Sequence, residues 1–207
     1  YPPKYLKRLR NICDRHNIIL ICDEVMSGWG RTGKMFAHQE ADIEPDIITT
    51  AKAITSGYSQ LGAVILSKKV SDIFNYNPVL TGLTYSGHIL PCRIANKCID
   101  LYSENDFHLI KEVNDKSLFL KELALKLVQE FDFVKDFRNN GLLGCFEFNI
   151  ETEEELALLS HLLLENNIYC LRIRKNLFIA PPLIISYEEI LEAMNNVRIT
   201  FEMYDKK

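Results

Sequence analysis

Two short apolar runs in this sequence end in residues that could do chemistry. Ile18-Ile19-Leu20-Ile21-Cys22 leads straight into Asp23-Glu24, and Ile47-Ile48 is followed by Thr49-Thr50-Ala51-Lys52. A lysine amine is a nucleophile and a proton carrier, and a carboxylate stabilises a neighbouring positive charge through a charge-assisted hydrogen bond. Beyond Lys52, a loop containing Gly57 and Gly62 leads to a third run, Ala63-Val64-Ile65-Leu66. Ligands of open α/β sheets bind beyond the carboxyl ends of the strands. A carboxylate, an amine and flexible backbone at one such edge amount to a site for a small ligand. Taken singly, each residue has a plainer reading: Asp23 as a strand cap or turn opener, Lys52 as a surface lysine. A dehydrogenase-like nucleotide site also uses a strand-end acid, but with a glycine-rich turn ahead of it, and no glycine precedes Asp23.

The elements that must position these residues follow from periodicity. Pro2 and Pro3 suit a first helical turn, and Leu6, Leu9, Ile12 and Cys13 recur at helical spacing to about His16. The continuous run after that helix reads as a strand of a parallel sheet covered on both faces. Residues from Pro91 to about Tyr102 read as helix, and a Leu-rich helical pattern runs from Phe107 to about Glu130. Strands are expected at Phe133 to Phe137, Leu142 to Ile150, Ile168 to Arg172 and Leu177 to Ala180. Between them lies a helix from about Glu153 to Asn166, capped by Thr152, with Glu151 to Glu155 putting negative charge at its start. A last helix starts near Ser186, where Glu189 completes a capping-box spacing. Alternating strands and helices argue for an α/β architecture, with a domain boundary near residues 103–110.

Bulk properties narrow the function classes. The 207 residues suffice for one large domain or two small ones, with 47% hydrophobic and 25% charged residues, as in an ordinary globular chain. A formal net charge of -4 gives no overall positive field for nucleic acid or an anionic membrane. The local cluster Lys4, Lys7, Arg8 and Arg10 reads as the wet face of a helix. No apolar run reaches the roughly 18 residues of a membrane span. Six scattered cysteines, without a Cys-x-x-Cys pair, fit a reducing cytoplasmic setting and support neither a disulfide framework nor a zinc site. The opening Tyr-Pro-Pro-Lys-Tyr has no secretion or transit pattern and no initiating Met, which predicts a start inside a longer protein or a cut there.

The local wording is more specific than the pattern. Ile21-Cys22-Asp23-Glu24-Val25-Met26-Ser27-Gly28-Trp29-Gly30-Arg31-Thr32-Gly33 resembles the Asp-Glu-Val segment of class III (omega-type) aminotransferases. Pro45-Asp46-Ile47-Ile48-Thr49-Thr50-Ala51-Lys52-Ala53-Ile54-Thr55-Ser56-Gly57-Tyr58 resembles that family's cofactor-lysine segment, and Leu61-Gly62-Ala63-Val64 continues it. Thr84-Tyr85-Ser86-Gly87-His88 is similar to the family's phosphate-reaching segment, and Ala180-Pro181-Pro182-Leu183 to its C-terminal signature. The motifs stand in family order across essentially the whole chain.

The resemblance implies an α/β fold of fold type I, with residues 1–106 as the C-terminal part of the large, mostly parallel-sheet domain and residues 107–207 as the small C-terminal domain. It implies pyridoxal 5'-phosphate as cofactor, Lys52 as the Schiff-base lysine and proton shuttle, and Asp23 as the partner of the ring nitrogen. Val25 would pack on the ring, and Thr84 would reach the phosphate held by the neighbouring subunit, so the active sites of a homodimer would be shared. The reaction would move an amino group from an amine or omega-amino acid to a 2-oxo acid. The Gly82 to His88 wording leans toward taurine–pyruvate-like members.

Three departures accompany the resemblance. Family chains are about twice as long, their N-terminal half supplying the main phosphate loop and a ring-stacking aromatic. A remnant without activity, or a subunit needing a separate N-terminal half, is therefore the alternative reading. An aminomutase is the alternative within the family. Ile89 stands where the family usually has Pro, which changes a backbone restriction and removes no reactive group. Leu177-Phe178-Ile179 occupies the stretch that holds a substrate arginine in several members, leaving Arg172 or Arg174 for a substrate's acid group. Arg174 is preferred, although a solvated arginine between strands serves equally. His88 has no second ligand at useful spacing and reads as structural, and Trp29 with Arg31 shapes the loop after Asp23.

Overall fold

The computed structural model describes residues 2–206. The chain divides into two units, Tyr1–Ile110 and Lys111–Lys207. Among the described residues, no helix is long and apolar enough to cross a membrane.

The first unit opens with helix α1 (Pro3–Arg15), with proline in its first turn where a missing N–H costs nothing. Strands β1 (Ile21–Asp23), β2 (Ile47–Thr50) and β3 (Ala63–Leu66) form one sheet in the order β1-β2-β3. The β1–β2 pair is parallel, with Asp23 opposite Thr49, and β2–β3 is antiparallel, with Thr50 opposite Ala63. A small core of Cys13, Leu20, Ala41 and Ile43 gathers Leu6, Leu9 and Cys22 around it. The expectation that the first apolar run is covered on both faces does not hold among the described residues, since Ile18, Ile19 and Ile21 are exposed. That core draws on α1, on Leu20 and Cys22 at β1, and on Ala41 and Ile43 ahead of β2, and the exposed side chains meet no layer among the described residues.

Arg10 corrects a second expectation. It is not on the wet face of α1 but buried, donating to Asp46 Oδ2 at 2.8 Å and pairing with Asp14 at 2.6 Å. Asp46 Oδ2 also accepts the Leu20 amide at 2.8 Å, and the Asp46 carbonyl accepts the Ser67 amide at 2.9 Å. One residue thus ties α1, the lead-in to β1 and the exit of β3 to the start of β2. A short helix α2 (Lys68–Ser71) follows β3. Residues 72–90 are exposed throughout, and they lead into α3 (Ile89–Glu130). This long helical stretch leaves helical geometry at Glu104–Phe107, where Asn105, Asp106 and Phe107 take positive φ.

The second unit is a four-stranded antiparallel sheet with helices packed on its apolar face. Its strands β4 (Val134–Asn140), β5 (Leu143–Phe148), β6 (Leu171–Ile173) and β7 (Asn176–Ile179) lie in the order β4-β5-β7-β6. Strand β5 alternates strictly, with Gly144, Phe146 and Phe148 buried and Leu143, Cys145 and Glu147 half-buried, the period of a sheet with one face in the core. A Cβ on Gly144 would lie 2.7 Å from the Phe137 ring, so the sheet packs closely there. Helices α4 (Glu153–Glu165) and α5 (Tyr187–Asp205) carry the caps expected from sequence. Thr152 accepts the Glu155 amide at 3.2 Å, and Ser186 and Glu189 form a reciprocal capping box. Phe201 lies fully buried with its ring edge-on to Phe131, Phe146 and Phe148.

Candidate functional site

The sheet of the first unit brings Asp23 and Lys52 to one edge. Because β1 and β2 run parallel in register, Asp23 and Thr49 stand side by side at their carboxyl ends. Lys52 follows β2 in a 3-10 turn (Lys52–Thr55), and its Nζ reaches Met26 Sδ at 2.6 Å, in the turn just after Asp23. The third contribution arrives differently from a parallel strand end. Since β3 is antiparallel, it is the start of the strand, at Gly62-Ala63, that lies beside Thr50. Asp23 is exposed, and its Oδ1 accepts the Val25 amide at 3.1 Å, a local turn that leaves its other oxygen available to a ligand. Val25 is half-buried and Lys52 exposed.

Glu24, which sequence reasoning passed over, is the buried anchor of the loop after β1. At 2% exposure its carboxylate accepts from the Ala37 amide at 3.1 Å, the His38 amide at 2.9 Å, His38 Nδ1 at 3.1 Å, and the Ser27 hydroxyl. Burial pushes this carboxyl up, but the hydrogen bonds from His38, Ser27 and Ala37 outweigh it and hold Glu24 below its ordinary range. The backbone amide of Glu24 donates to the Thr49 carbonyl at 2.8 Å, so the anchor also continues the β1–β2 pairing. There is no room for a side chain at Gly28, where a Cβ would sit 2.8 Å from the Glu24 carbonyl oxygen. Gly28, Gly30 and Gly33 match the spacing of a dinucleotide-binding turn, yet residues 25–36 form turns and bends that open no long helix.

Trp29 links this loop to β2, its Nε1 donating to Thr50 Oγ1 at 2.6 Å, as expected for a residue that shapes the loop. Its ring stacks on Tyr102 at 5.9 Å between centroids and meets Phe36 edge-on at 5.2 Å. Tyr102 in turn hydrogen-bonds into the Lys52 turn, at the Ala53 carbonyl and the Ser56 hydroxyl, each at 2.8 Å. No sequence spacing announces a contact between residues 53 and 102. The one available signal was a polar aromatic at a core-facing position of an otherwise apolar helical pattern.

The remaining expected site residues stand elsewhere. Thr84 lies in an exposed turn, within a stretch where Leu80, Leu83, Tyr85 and Ile89 are also exposed. His88 caps the start of α3, its Nδ1 accepting the Leu90 amide at 3.3 Å. Arg174 belongs to the second unit, exposed in the β6–β7 turn with a φ of 53°. Arg172 is committed to structure, donating to Ser160 Oγ at 3.1 Å and the Arg174 carbonyl at 3.0 Å, and pairing with Glu153. The second unit also holds a cavity of about 300 Å³ lined by Leu120, Ile168, Cys170, Ile179, Pro182 and Met194. Its chemistry is bland, because burial pushes the Cys170 thiol up to about 11 and keeps it protonated at neutral pH.

Comparison with known proteins gives concordant matches. The profile of the family described as aminotransferase class-III matches residues 1–200. Adenosylmethionine-8-amino-7-oxononanoate aminotransferase of Helicobacter pylori is 32% identical over 202 residues, covering 94% of this chain and 46% of that protein. Acetylornithine aminotransferase of Mesorhizobium japonicum is 35% identical over 204 residues, covering 95% of this chain and 48% of that protein. Among solved structures, taurine:2-oxoglutarate aminotransferase from Bifidobacterium kashiwanohense, in complex with PLP and glutamate, superimposes with a TM-score of 0.92. It is 32% identical and covers 98% of this chain and 48% of that one. The chain spans about half the length of the curated relatives it matches.

Proposed function

The chain belongs to the class-III aminotransferases, pyridoxal-phosphate enzymes of fold type I, and we propose that Lys52 and Asp23 are the residues with which it serves that chemistry. The observation that carries the proposal is the meeting of the Lys52 amine with the turn that follows Asp23. The residues present fit the cofactor. An exposed primary amine suits its aldehyde, an exposed carboxylate one strand away suits its ring nitrogen, and the aliphatic Val25, two residues beyond that carboxylate, suits its ring face.

Bound there, the cofactor supplies an electron sink for the carbanion left when an amine donor loses its α-proton. Lys52 Nζ would hold the cofactor through its aldehyde and would carry the proton released from the donor carbon. Asp23 would accept a hydrogen bond from the ring nitrogen and so favour its protonated form, which maintains the sink. Val25 would pack against one face of the ring. Water would supply the oxygen of the donor's carbonyl product, and the amino group, kept by the cofactor, would pass to a 2-oxo acid that releases water in turn.

Residues 1–106 are, in this reading, the C-terminal part of the large cofactor domain and residues 107–207 the small domain. Thr84 donates to the phosphate in a second copy of the chain, giving a homodimer with shared sites. Supporting this, the turn that carries Thr84 stands among exposed Leu80, Leu83 and Ile89, an apolar strip that a second copy would cover. Arg174, an exposed guanidinium, would bind the acid group of the substrate. Short omega-amino acids or sulfonates are the proposed donors, in keeping with the Gly82 to His88 wording and the likeness to a taurine aminotransferase. The setting is a reducing cytoplasm, consistent with Cys13 and Cys98 as buried free thiols.

The test is to add pyridoxal phosphate to the purified protein, follow its visible absorbance, reduce with borohydride and map the labelled peptide. Label on Lys52 that is absent from Lys52→Ala is the expected result. Label confined to other lysines would sink the assignment.

A further inference from the structure

The turn that carries Lys52 is built from backbone that non-glycine residues avoid. Lys52 and Ser56 both take φ of 49°, in the left-handed region, at the two ends of the segment Lys52–Ser56. Such residues cost about 1 kcal/mol or more each, and persist only where their surroundings fix them. Local hydrogen bonds supply part of that. The Ser56 amide donates to the Ala53 carbonyl at 3.0 Å, the Tyr58 amide to the Thr55 carbonyl at 2.9 Å, and the buried Thr55 hydroxyl to the Ser59 carbonyl.

A side chain from a distant element supplies the rest. Tyr102, on α3, donates its phenol to the Ala53 carbonyl at 2.8 Å. A phenol has a single proton, so the 2.8 Å contact with Ser56 must be donated by the serine hydroxyl. Tyr102 thereby fills the second lone pair of the Ala53 carbonyl, on the residue that directly follows Lys52, and holds the far end of the turn as well. The ring is itself fixed, 5% exposed and stacked on Trp29, whose indole is bonded to Thr50 at the end of β2. Burial also pushes the Tyr102 phenol above its usual range, so it remains a donor through the neutral and mildly alkaline range.

We propose that Tyr102 is a positioning residue for Lys52, acting through the Ala53 carbonyl to hold the turn, left-handed at its two ends, from which the amine projects. The inference rests on the reading of Lys52 as the cofactor lysine. Its chemical consequence is a Lys52 amine presented in one direction, not sampled among several, when an aldehyde arrives.

The test uses Tyr102→Phe, which removes the hydroxyl and keeps the ring against Trp29. Capture of pyridoxal phosphate is followed by visible absorbance at a temperature where circular dichroism shows both proteins fully folded, and the label is mapped after borohydride. Trp29, the single tryptophan of the chain, reports by its emission whether the stack is intact. Capture at Lys52 about tenfold slower in Tyr102→Phe, with Trp29 emission unchanged, is expected from the loss of one buried hydrogen bond. Equal capture rates in the two proteins overturn the inference, even if Tyr102→Phe melts earlier. Slower capture with a shifted Trp29 emission also overturns it, because the ring and not the hydroxyl would then be responsible. Label on other lysines and none on Lys52 in the unsubstituted protein removes the cofactor-lysine reading, and this inference with it.

Discussion

Between residues 111 and 207 the buried side chains form one continuous apolar cluster, from Val113 through Phe146 and Phe148 to Phe201. Between residues 1 and 110 the buried residues are fewer and more often polar: Arg10, Glu24, Thr32, His38, Asp46, Thr50 and Thr55, against Lys116 and Thr200 in the later unit. The first arrangement depends on removing apolar area from water, which is strong and non-directional. The second depends on hydrogen bonds and ion pairs, which are weaker net but fix direction. Asp23 and Lys52 both belong to the second kind of construction. The edge that carries this amine and this carboxylate is built from directional contacts, while the second unit is held by bulk packing.

That contrast can be broken at its strongest point first. Phe201→Ala opens a cavity among Phe131, Phe146 and Phe148, and is expected to cost about 4 kcal/mol in urea unfolding followed by far-ultraviolet circular dichroism. A cost under about 1 kcal/mol would mean that the cluster is not a tightly packed core.

Next in size is the Arg10–Asp46 pair of the first unit. Asp46→Ala leaves a buried guanidinium with Asp14 as its carboxylate partner, at an expected cost of about 3 kcal/mol. Burial pushes the Asp46 carboxyl up, but the Leu20 amide and Arg10 more than reverse that, and it ends below the usual carboxylate range. A carboxyl with a depressed folded pKa contributes fully above its unfolded value of about 4, and loses the contribution as pH falls through the folded value. Glu24 carries the same sign. Acid titration should therefore change Trp29 emission only below about pH 4, and in Asp46→Ala that transition should shift toward higher pH. An acid transition unmoved by the substitution would show that directional contacts do not hold this edge.

The smallest effect sharpens the comparison from the other side. Ser186→Ala removes the cap of α5 and should cost about 1 kcal/mol, a fraction of the Phe201 effect in the same unit. If the two losses were equal, local capping and not the shared core would be setting the stability of the second unit.

The same contrast decides what could be read from sequence alone. Features carried by near neighbours were legible. The Ala63–Leu66 run is β3 with unchanged bounds, Thr152 and Ser186 cap the helices assigned to them, and the strand expected at Leu142 to Ile150 is β5, Leu143–Phe148. Asp23 and Lys52 were legible as residues at strand ends, because an apolar run followed by a polar residue is a local pattern. Contacts between distant residues were not. Glu24 meets His38 across a loop, Tyr102 reaches Ala53 from a later helix, and Arg10 turns inward because Asp46 awaits it, although its helical neighbours Lys7 and Arg8 are exposed. Burial of the early strands was over-read as well. An apolar run shows which side chains would gain from cover, and Ile18, Ile19 and Ile21 remain exposed in spite of it.

The left-handed backbone at Lys52 has a consequence for how this position tolerates change. Glycine would adopt its φ of 49° without a steric cost, so the backbone taken alone favours a residue with no side chain there. A library of variants sorted for resistance to unfolding is thereby drawn toward glycine at position 52, and one sorted for amine chemistry is held at lysine. On the proposed reading of Lys52 as the cofactor lysine, the two selections pull this codon in opposite directions, one toward stability and the other toward reactivity.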